Sequence, residues 1–412
     1  MRKRSAVLAL VTISIVLFTS FGACADSGDD AKVIVLVGGR LIDGTGTDPV
    51  DDAAVAISDG RILYAGPRNA VEIPSTAEIR DATGLVILPG FINAHVHRGL
   101  STRNLEAWAR AGVTTVRDLG CAEESLATFR DLYPAVPGRA RLVAAGPLIT
   151  VPGGYPIVPF GGGWTAVVTS EDSARETGEA LLDGGADLLK LVFETGTVFG
   201  RTIPVLSPEE ARMLVRVAHG RGTVASAHIT SAVDLPLALD AGADDLAHMA
   251  VDRLLTTGEV ERVVAEDVYW VPSLELWLCA GPRTMAVNNL RRFVNAGGKV
   301  ALGTDYEGYS CDWDLGMPMT EIRLMAEAGM TPMQIIVAAT RHGAHVCNLE
   351  RQLGTLEVGK TADLFVIEGD PLADLENLQR VRVVFRDGVV IRGELPPEML
   401  PAPRRARRRV GG

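Results

Sequence analysis

The sequence predicts an α/β fold, a (β/α)8 TIM-like barrel accompanied by a small β-sandwich. Residues 86–352 contain eight short apolar segments, with helical segments between most of them. Four junctions resemble one another, because in each a glycine ends a helix and a buried strand follows: "ARAGVTTVRD", "DGGADLLKLV", "DAGADDLAHM" and "NAGGKVALGTD". Repeated strand–helix units with buried strands indicate a parallel sheet. Eight units favour a closed barrel, and a doubly wound open sheet is the alternative.

The flanks of the chain, residues 32–85 and 353–394, have a different pattern of apolar and polar residues. Segments such as "AAVAISDGRILYAG" and "VRVVFRDGVVIRG" alternate apolar and polar residues and are interrupted by Asp-Gly. This pattern is typical of strands joined by hairpins. We therefore expect both ends of the chain to contribute to one β-sandwich.

The predicted barrel strands are short and apolar. They span residues 86–97, 113–118, 141–146, 187–193, 223–228, 244–249, 268–273 and 299–305. Two helix starts carry capping boxes, in which a Ser or Thr is followed by Pro and then by Glu or Gln at the third helical position. These boxes are Ser207 with Glu210 and Thr331 with Gln334.

Residues 1–24 have the composition of a signal peptide. The basic "MRKR" precedes "AVLALVTISIVLF", which is too short to span a bilayer comfortably. "FGAC" resembles a lipobox that would make Cys24 a lipidated first residue, whereas cleavage after "ACA" would discard Cys24. We favour the lipoprotein, with residues 25–31 as a tether. Both alternatives predict an exported protein that contacts a membrane only through a lipid on Cys24.

The net charge of −11 argues against a nucleic-acid partner. The Pro- and Arg-rich tail, residues 395–412, is expected to be solvated. Four further cysteines lack CxxC spacing, so we expect buried thiols with at most one disulfide: Cys121, Cys279, Cys311 and Cys347. Assembly into a homo-oligomer is left open.

Polar residues stand where several predicted barrel strands end, and active sites of such barrels lie at that end. They are His95, His97, Lys190, His228, His248 and Asp305. Each alone has a structural explanation, such as a hydrogen-bonded histidine or a helix cap at Asp305. Lys190, however, lies within "LLKLVF", and a buried ammonium must be paired, neutral or modified. Together the six residues favour a metal site.

Several motifs resemble the amidohydrolase superfamily of metal-dependent hydrolases, in its imidazolonepropionase and prolidase-like branch. They are "LPGFINAHVH", "AGVTTVRDLG", "SAHI", "LGTD", "ATRHGA" and "GTLEVGKTADLFVIEGDP", and the resemblance covers residues 32–394. It implies two divalent metal ions. By the resemblance, the first ion is held by His95, His97 and Asp305, and the second by His228 and His248. A carboxylated Lys190 bridges them, which would also explain its burial.

The resemblance implies hydrolysis of an amide bond by a metal-activated hydroxide. Imidazoles and carboxylates suit zinc, and two ions can acidify one water. Asp305 would be the catalytic residue that receives the proton and delivers it to the leaving amine. The expected substrate is a small molecule such as a dipeptide, an N-acyl amino acid or a cyclic amide.

Candidate substrate residues follow from the loops. The Gly- and Pro-rich segment 150–164 is expected to border the pocket, with Tyr155 and Trp164 as walls. Packing of the loop on the barrel is the alternative role for both side chains. Tyr155 stands where prolidase-like enzymes often have a histidine. Arg98 and Arg201 are candidates for binding a substrate carboxylate, and a surface role is equally compatible with each.

Three other functions stay open. A mononuclear deaminase usually adds a Glu after the strand-6 histidine, whereas Met249 and Ala250 follow His248 here. The same metal centre could also hydrolyse a lactone or a phosphotriester. A surface-anchored binding protein without turnover is the alternative of another class, and the complete set of ligands argues against it.

Overall fold

A computed structural model describes residues 32–308 and 311–397. The described residues contain seventeen strands: β1 (Ile34–Leu41), β2 (Val50–Ser58), β3 (Arg61–Pro67), β4 (Glu78–Asp81), β5 (Leu85–Pro89), β6 (Phe91–Val96), β7 (Val113–Asp118), β8 (Arg141–Ala144), β9 (Leu148–Thr150), β10 (Thr165–Val167), β11 (Leu189–Val192), β12 (Ala225–His228), β13 (Asp245–Ala247), β14 (Tyr269–Val271), β15 (Leu364–Glu368), β16 (Val381–Arg386) and β17 (Val389–Arg392).

The α-helices of the described residues follow most of the strands of the central region. They are α1 (Thr102–Arg110), α2 (Glu123–Leu132), α3 (Ile157–Phe160), α4 (Glu171–Asp183), α5 (Pro208–Gly220), α6 (Leu235–Ala241), α7 (Thr257–Ala265), α8 (Leu274–Ala280), α9 (Arg283–Asn295), α10 (Met319–Glu327), α11 (Pro332–Val337) and α12 (Gly343–Val346). The capping boxes of Ser207 with Glu210 and of Thr331 with Gln334 are confirmed at the starts of α5 and α11.

Strands from both ends of the chain pair in one eight-stranded sheet. Its order is β17-β16-β15-β5-β1-β2-β3, and β4 also pairs with β1. The two ends meet where β5 runs antiparallel to β15. Apolar residues of these strands form a core of their own, which includes Leu36, Val55 and Phe385. The β-sandwich and the domain limits expected from the sequence stay predictions.

The strand predicted over residues 86–97 is two strands. β5 belongs to the eight-stranded sheet and β6 to a parallel sheet, and Gly90 lies between them. A Cβ atom on Gly90 would lie 2.1 Å from the Thr114 hydroxyl oxygen. Only glycine lets the chain pass this close to β7. The crossing is not visible in the sequence, because Gly90 lies inside the apolar run of nine residues "GLVILPGFI".

The central strands form two parallel sheets, with the orders β6-β7-β8 and β10-β9-β11-β12-β13-β14. The predicted last strand, residues 299–305, is followed by Tyr306, and this segment 299–306 makes isolated bridges to both sheets. The Trp270 amide donates to the Lys299 carbonyl at 2.9 Å on one side. The Ala94 amide donates to the Leu302 carbonyl at 2.8 Å on the other. The molecule therefore has mixed α/β architecture.

β9 and β10 were not predicted from the sequence. Each has three residues, which is too short for a periodic pattern to be visible. They pair in parallel with each other and enclose the segment 150–164. Because β9 also pairs with β11, this pairing fixes both ends of the loop next to β11.

Some expectations concern residues outside the described ranges. The signal peptide, Cys24 and the tether lie in residues 1–31, and residues 398–412 of the tail are likewise outside. No helix of residues 32–308 and 311–397 is long and apolar enough to cross a membrane. Cys279 and Cys311 form a disulfide, and Cys121 and Cys347 are free.

Candidate active site

Six of the predicted site residues line one cavity of about 1380 Å³. His95 lies near the end of β6 and His97 directly after it, Lys190 lies within β11, and His228 ends β12. His248 directly follows β13, and Asp305 belongs to the segment that bridges the two parallel sheets. Because the strands are parallel, their carboxyl ends lie at the same edge, and this brings together residues up to 210 positions apart in the chain.

The Asp305 carboxylate lies at the centre of the histidines. Its Oδ1 atom lies 2.9 Å from His95 Nε2 and 3.1 Å from His97 Nε2. The ring centres of His95 and His248 are 4.7 Å apart, and those of His248 and His228 are 4.8 Å apart. Ligand atoms of His95, His248 and Asp305 all lie within 4.8 Å of one another. This spacing suits a group of donors around a metal ion.

Three residues at the site have a strained backbone conformation. His248, Ser273 and Asp305 have positive φ angles of 71°, 49° and 65°. Non-glycine residues rarely adopt this conformation, and where they do the surrounding structure must hold them there. Of these three residues, His248 and Asp305 line the cavity, and Ser273 contacts His95.

A second set of contacts orients the histidines. The His97 Nδ1 atom lies 3.1 Å from the Gly120 carbonyl oxygen, to which only a protonated Nδ1 can donate. His95 Nδ1 lies 3.2 Å from the Ser273 hydroxyl. Each contact leaves Nε2 directed at Asp305. Such partners fix the tautomer of a metal-binding histidine.

Beneath the site lies a buried ion pair. Arg117 donates to both carboxylate oxygens of Asp245, at 2.8 and 3.0 Å, and to the Ala94 carbonyl at 2.6 Å. Ser226 donates to Asp245 at 2.7 Å. The pair satisfies its own charges, so it does not neutralise the neighbouring Lys190. The sequence analysis missed this pair, since nothing in the chain connects positions 117 and 245.

Burial governs the charge of the candidate ligands. It lowers the pKa of Lys190 to about 7, and the charge of Arg117 adds to this effect. It also lowers the pKa of His95 to about 4 against the opposing charge of Asp305, and the pKa values of His228 and His248 fall well below their ordinary value. The imidazoles are therefore neutral, which is the form that binds metals.

His97 and Asp305 behave differently. Burial would lower the pKa of His97, but the carboxylates of Asp305 and Asp118 outweigh it and raise that pKa to about 9. Burial would raise the pKa of Asp305, but the neighbouring imidazoles hold it well below its ordinary value. A cation held by Asp305 and His97 would replace the proton that His97 otherwise carries.

The donor set fits metal ions. Three buried nitrogen atoms of residues that line the cavity lack a hydrogen-bond partner: Lys190 Nζ, His228 Nε2 and His248 Nδ1. Unsatisfied buried polar atoms are costly and demand an explanation. The imidazole nitrogens, together with the Asp305 carboxylate, match the ligands that zinc prefers.

Three of the four predicted substrate residues line the cavity: Arg98, Tyr155 and Trp164. Tyr155 stacks on His228 with ring centres 4.6 Å apart and planes inclined by 20°. Arg98 donates to the Glu307 carbonyl at 3.3 Å. Arg201 is exposed and is not among the lining residues. Its loop turns back at Gly196, whose carbonyl accepts the Arg201 amide, so the structure does not bring Arg201 to the cavity.

Sequence analysis missed other residues at the site. Asp118, at the end of β7, accepts hydrogen bonds from the Gly99 and Gly120 amides and lines the cavity. Glu194, just after β11, lies 3.9 Å from His228 Nε2 and accepts a hydrogen bond from Thr230. Both follow the same rule of polar residues at strand ends that nominated Asp305, and its application to β7 and β11 would have found them.

The family assignment rests on a match over residues 86–391 to the sequence model described as "Amidohydrolase family". The match covers most of the chain and every candidate ligand. The chain belongs to the amidohydrolase family.

Similar proteins within the amidohydrolases have various names. Ochratoxinase of Aspergillus niger is 25% identical over 440 residues, which cover 89% of this chain and 88% of that protein. Imidazolonepropionase of Symbiobacterium thermophilum is 26% identical over 375 residues, which cover 77% and 84%. A solved Xaa-Pro dipeptidase with bound methionine has a TM-score of 0.75 at 22% identity and covers 88% of this chain and 100% of its own. The resemblance predicted from the motifs is confirmed, and the protein is an amidohydrolase-superfamily hydrolase.

Proposed function

We propose that this amidohydrolase cleaves the amide bond of a small peptide-like molecule, such as a dipeptide, an N-acyl amino acid or a cyclic amide. One observation carries the proposal: six polar residues from five strand segments converge on one cavity, and three of their buried nitrogen atoms lack a partner. The complete set of candidate ligands argues against a binding protein without turnover.

The proposal assigns two divalent metal ions, zinc, to the site. His95, His97 and Asp305 would hold one, and His228 and His248 the other. A carboxylated Lys190 would bridge them, and the neutral amine that carboxylation requires is favoured by burial, which lowers the pKa of Lys190 to about 7. When bound, the ions would supply Lewis-acid activation of a water molecule and of the scissile carbonyl.

The chain's own residues would move the proton. Asp305 stays ionised because the neighbouring imidazoles hold its pKa well below the ordinary value, so it can accept a proton from the attacking water. It would then deliver the proton to the leaving nitrogen, which completes hydrolysis of the C–N bond. Gly120 and Ser273 would keep His97 and His95 in orientation throughout.

The residues that line the cavity support the proposed class of substrate. Arg98 lines the cavity and can pair with the carboxylate of a peptide-like substrate. Tyr155 and Trp164 supply apolar wall beside His228. The structural similarity to a Xaa-Pro dipeptidase supports a peptide-like substrate only as an analogy of fold. Arg201 has no part in this proposal.

The proposal includes the closed barrel over residues 86–352. It is supported by the backbone hydrogen bonds that the segment 299–306 makes to β14 on one side and to β6 on the other. It is also supported by the Asp187 amide, which donates to Ala144 at 2.8 Å and so connects β8 with the start of β11. Residues 32–85 and 353–394 would then form a separate β-rich domain.

Export belongs to the proposal as well. It rests on residues 1–24, and the disulfide between Cys279 and Cys311 supports it, because disulfides persist in oxidising compartments. Mass spectrometry of the mature N-terminus tests it. A diacylglyceryl Cys24 is expected, a chain that begins after Cys24 would indicate ordinary cleavage, and a retained Met1 would contradict export.

The activity is tested by metal analysis and a hydrolysis screen. The protein is produced with added zinc and bicarbonate, and assayed on dipeptides, N-acyl amino acids and lactones. Two metal ions per chain with amide cleavage are expected. One ion with ammonia release would favour a deaminase instead, lactone cleavage alone would favour an esterase, and two ions without turnover would favour a binding protein.

The role of Asp305 needs its own variant. Asp305→Asn is expected to lose hydrolysis while zinc remains detectable at the other ligands. Asp234→Asn, at a carboxylate that is equally buried but does not line the cavity, serves as the control and should keep hydrolysis. Full activity in Asp305→Asn would contradict the proton role.

A further inference from the structure

An aromatic cluster of Tyr155, Phe160 and Phe199 lies at the cavity, and Tyr155 and Phe160 are the members that line it. The ring centres of Tyr155 and Phe160 are 5.8 Å apart, those of Tyr155 and Phe199 are 5.7 Å apart, and those of Phe160 and Phe199 are 6.1 Å apart. Phe160 meets both other rings edge to face, at 82° and 81°. This is the arrangement that aromatic quadrupoles favour.

The cluster is adjacent to the proposed metal ligands. Tyr155 stacks on His228 at 4.6 Å, so the cluster begins at the edge of the ligand group. A substrate whose scissile carbonyl lies at these ligands would place a nearby substituent against the cluster. Trp164, also in the cavity lining, extends the apolar wall.

Phe160 keeps a free face despite its two aromatic contacts. It is 59% exposed and yet lines the cavity. The turn after it requires glycine, because Gly161 and Gly162 have φ angles of 83° and 64°, and a Cβ on Gly162 would lie 2.8 Å from Ile157 Cγ1. The loop thus holds a large apolar side chain in the cavity, where an exposed apolar surface marks a binding site.

The charged side of the cavity comes from other strands. Arg98 follows β6, and Glu307 follows the segment 299–306, which pairs with β6. The aromatic cluster comes from loops after β9 and β11. A molecule that spans the cavity would therefore contact aromatic side chains on one side and the charged residues Arg98 and Glu307 on the other.

We infer that the aromatic cluster is a specificity subsite for an aromatic ring near the scissile amide, so that the preferred substrates are amides carrying both an aromatic substituent and a carboxylate. The inference rests on the proposed function, and it adds the substrate class. Edge-to-face packing selects a ring over a branched aliphatic group, because only a substrate ring can form with Phe160 the same edge-to-face contact that Phe160 forms with Tyr155 and Phe199.

Hydrolysis of matched substrates tests the inference. The pairs are N-acetyl-L-phenylalanine with N-acetyl-L-alanine, and benzoylglycine with acetylglycine. In at least one pair the aromatic member should have a kcat/KM higher by a factor on the order of 10 or more. Phe160→Ala should remove that preference and leave the aliphatic member within about 2-fold, whereas equal losses for both members would overturn the subsite.

Two further variants sharpen the test. Phe160→Leu keeps an apolar side chain without a ring, and it should lose most of the preference; full retention would contradict selection for an aromatic group. Leu63→Ala, at a position 46% exposed on β3 and outside the cavity lining, is the matched control and should behave as the wild type.

A binding measurement separates this inference from the proposed activity. Isothermal titration of the zinc-loaded protein with 3-phenylpropionate and with propionate needs no turnover. The phenyl compound should bind on the order of 10-fold more tightly, and Phe160→Ala should abolish the difference. Turnover without any aromatic preference would overturn the subsite alone, and aromatic binding without turnover would overturn the proposed activity alone.

Discussion

The Ser273 hydroxyl oxygen lies 3.2 Å from Nδ1 of His95. Ser273 is fully buried and adopts a φ of 49°, which is costly for a residue with a side chain. A histidine that binds a metal through Nε2 carries its proton on Nδ1, and in a metal-bound His95 the Ser273 hydroxyl oxygen would accept the hydrogen bond from that proton. The strained serine therefore has a physical explanation in the orientation of a proposed ligand.

Ser273→Ala is expected to weaken zinc binding by about 10- to 100-fold, because His95 loses the partner that orients its ring. The measurement is zinc affinity by competition with a chromophoric chelator. Ser231→Ala is the matched control, since Ser231 is equally buried but donates to Asp234 at 2.8 Å. Unchanged affinity in Ser273→Ala would contradict the role of this contact.

Lys190→Ala is expected to lose the pair of metal ions, because no bridging carboxylate can form. Propionate should partly restore two ions per chain, since its carboxylate can occupy the space of the missing side chain. Metal content by mass spectrometry measures both effects. Lys299→Ala, at a lysine outside the cavity lining, should keep two ions. Two ions in Lys190→Ala without propionate would refute the carbamate.

Asp245→Asn is expected to lower the free energy of unfolding by about 3–5 kcal/mol, because it leaves the fully buried Arg117 charge without compensation. Chemical denaturation measures the loss. Glu368→Gln is the control: it breaks the exposed pair with Arg382, where about 0–1 kcal/mol is expected. Equal effects of the two variants would mean that Arg117 is not desolvated.

The buried carboxyl of Glu321 predicts a pH dependence of stability. It accepts a hydrogen bond from the Glu275 amide at 2.7 Å, and burial raises its pKa to about 8 from an ordinary 4.5. Between these two values the folded state binds the extra proton, so this group stabilises the fold at low pH and that stability is lost as the pH rises through 8.

Glu321→Gln removes that titration, so the melting temperature should fall less between pH 5 and pH 8 than in the wild type. The variant should also be the more stable protein at pH 8. Glu327→Gln, on the same helix but exposed and paired with Arg283, should follow the wild-type curve. Parallel curves for Glu321→Gln and the wild type would contradict a raised pKa at this carboxyl.

The sequence alone was enough to predict the alternation of strands and helices, because hydrophobic periodicity and capping boxes are local signals. It was also enough to nominate His95, His97, Lys190, His228, His248 and Asp305, because polar residues at the ends of apolar strands are visible without coordinates. Lys190 was the most informative, since burial of a lysine demands an explanation.

The tertiary structure decided what depends on distance between remote positions. Ser273 and Gly120 orient His95 and His97 across 178 and 23 residues, and no pattern along the chain connects them. The crossing at Gly90 was hidden inside one apolar run, because hydrophobicity does not report which sheet a strand joins. Arg201 was predicted to reach the site, but it is exposed and lies outside the cavity lining. Phe160 belongs to no motif, and yet it lines the cavity. Local sequence determines which elements form, whereas packing determines which side chains share a site.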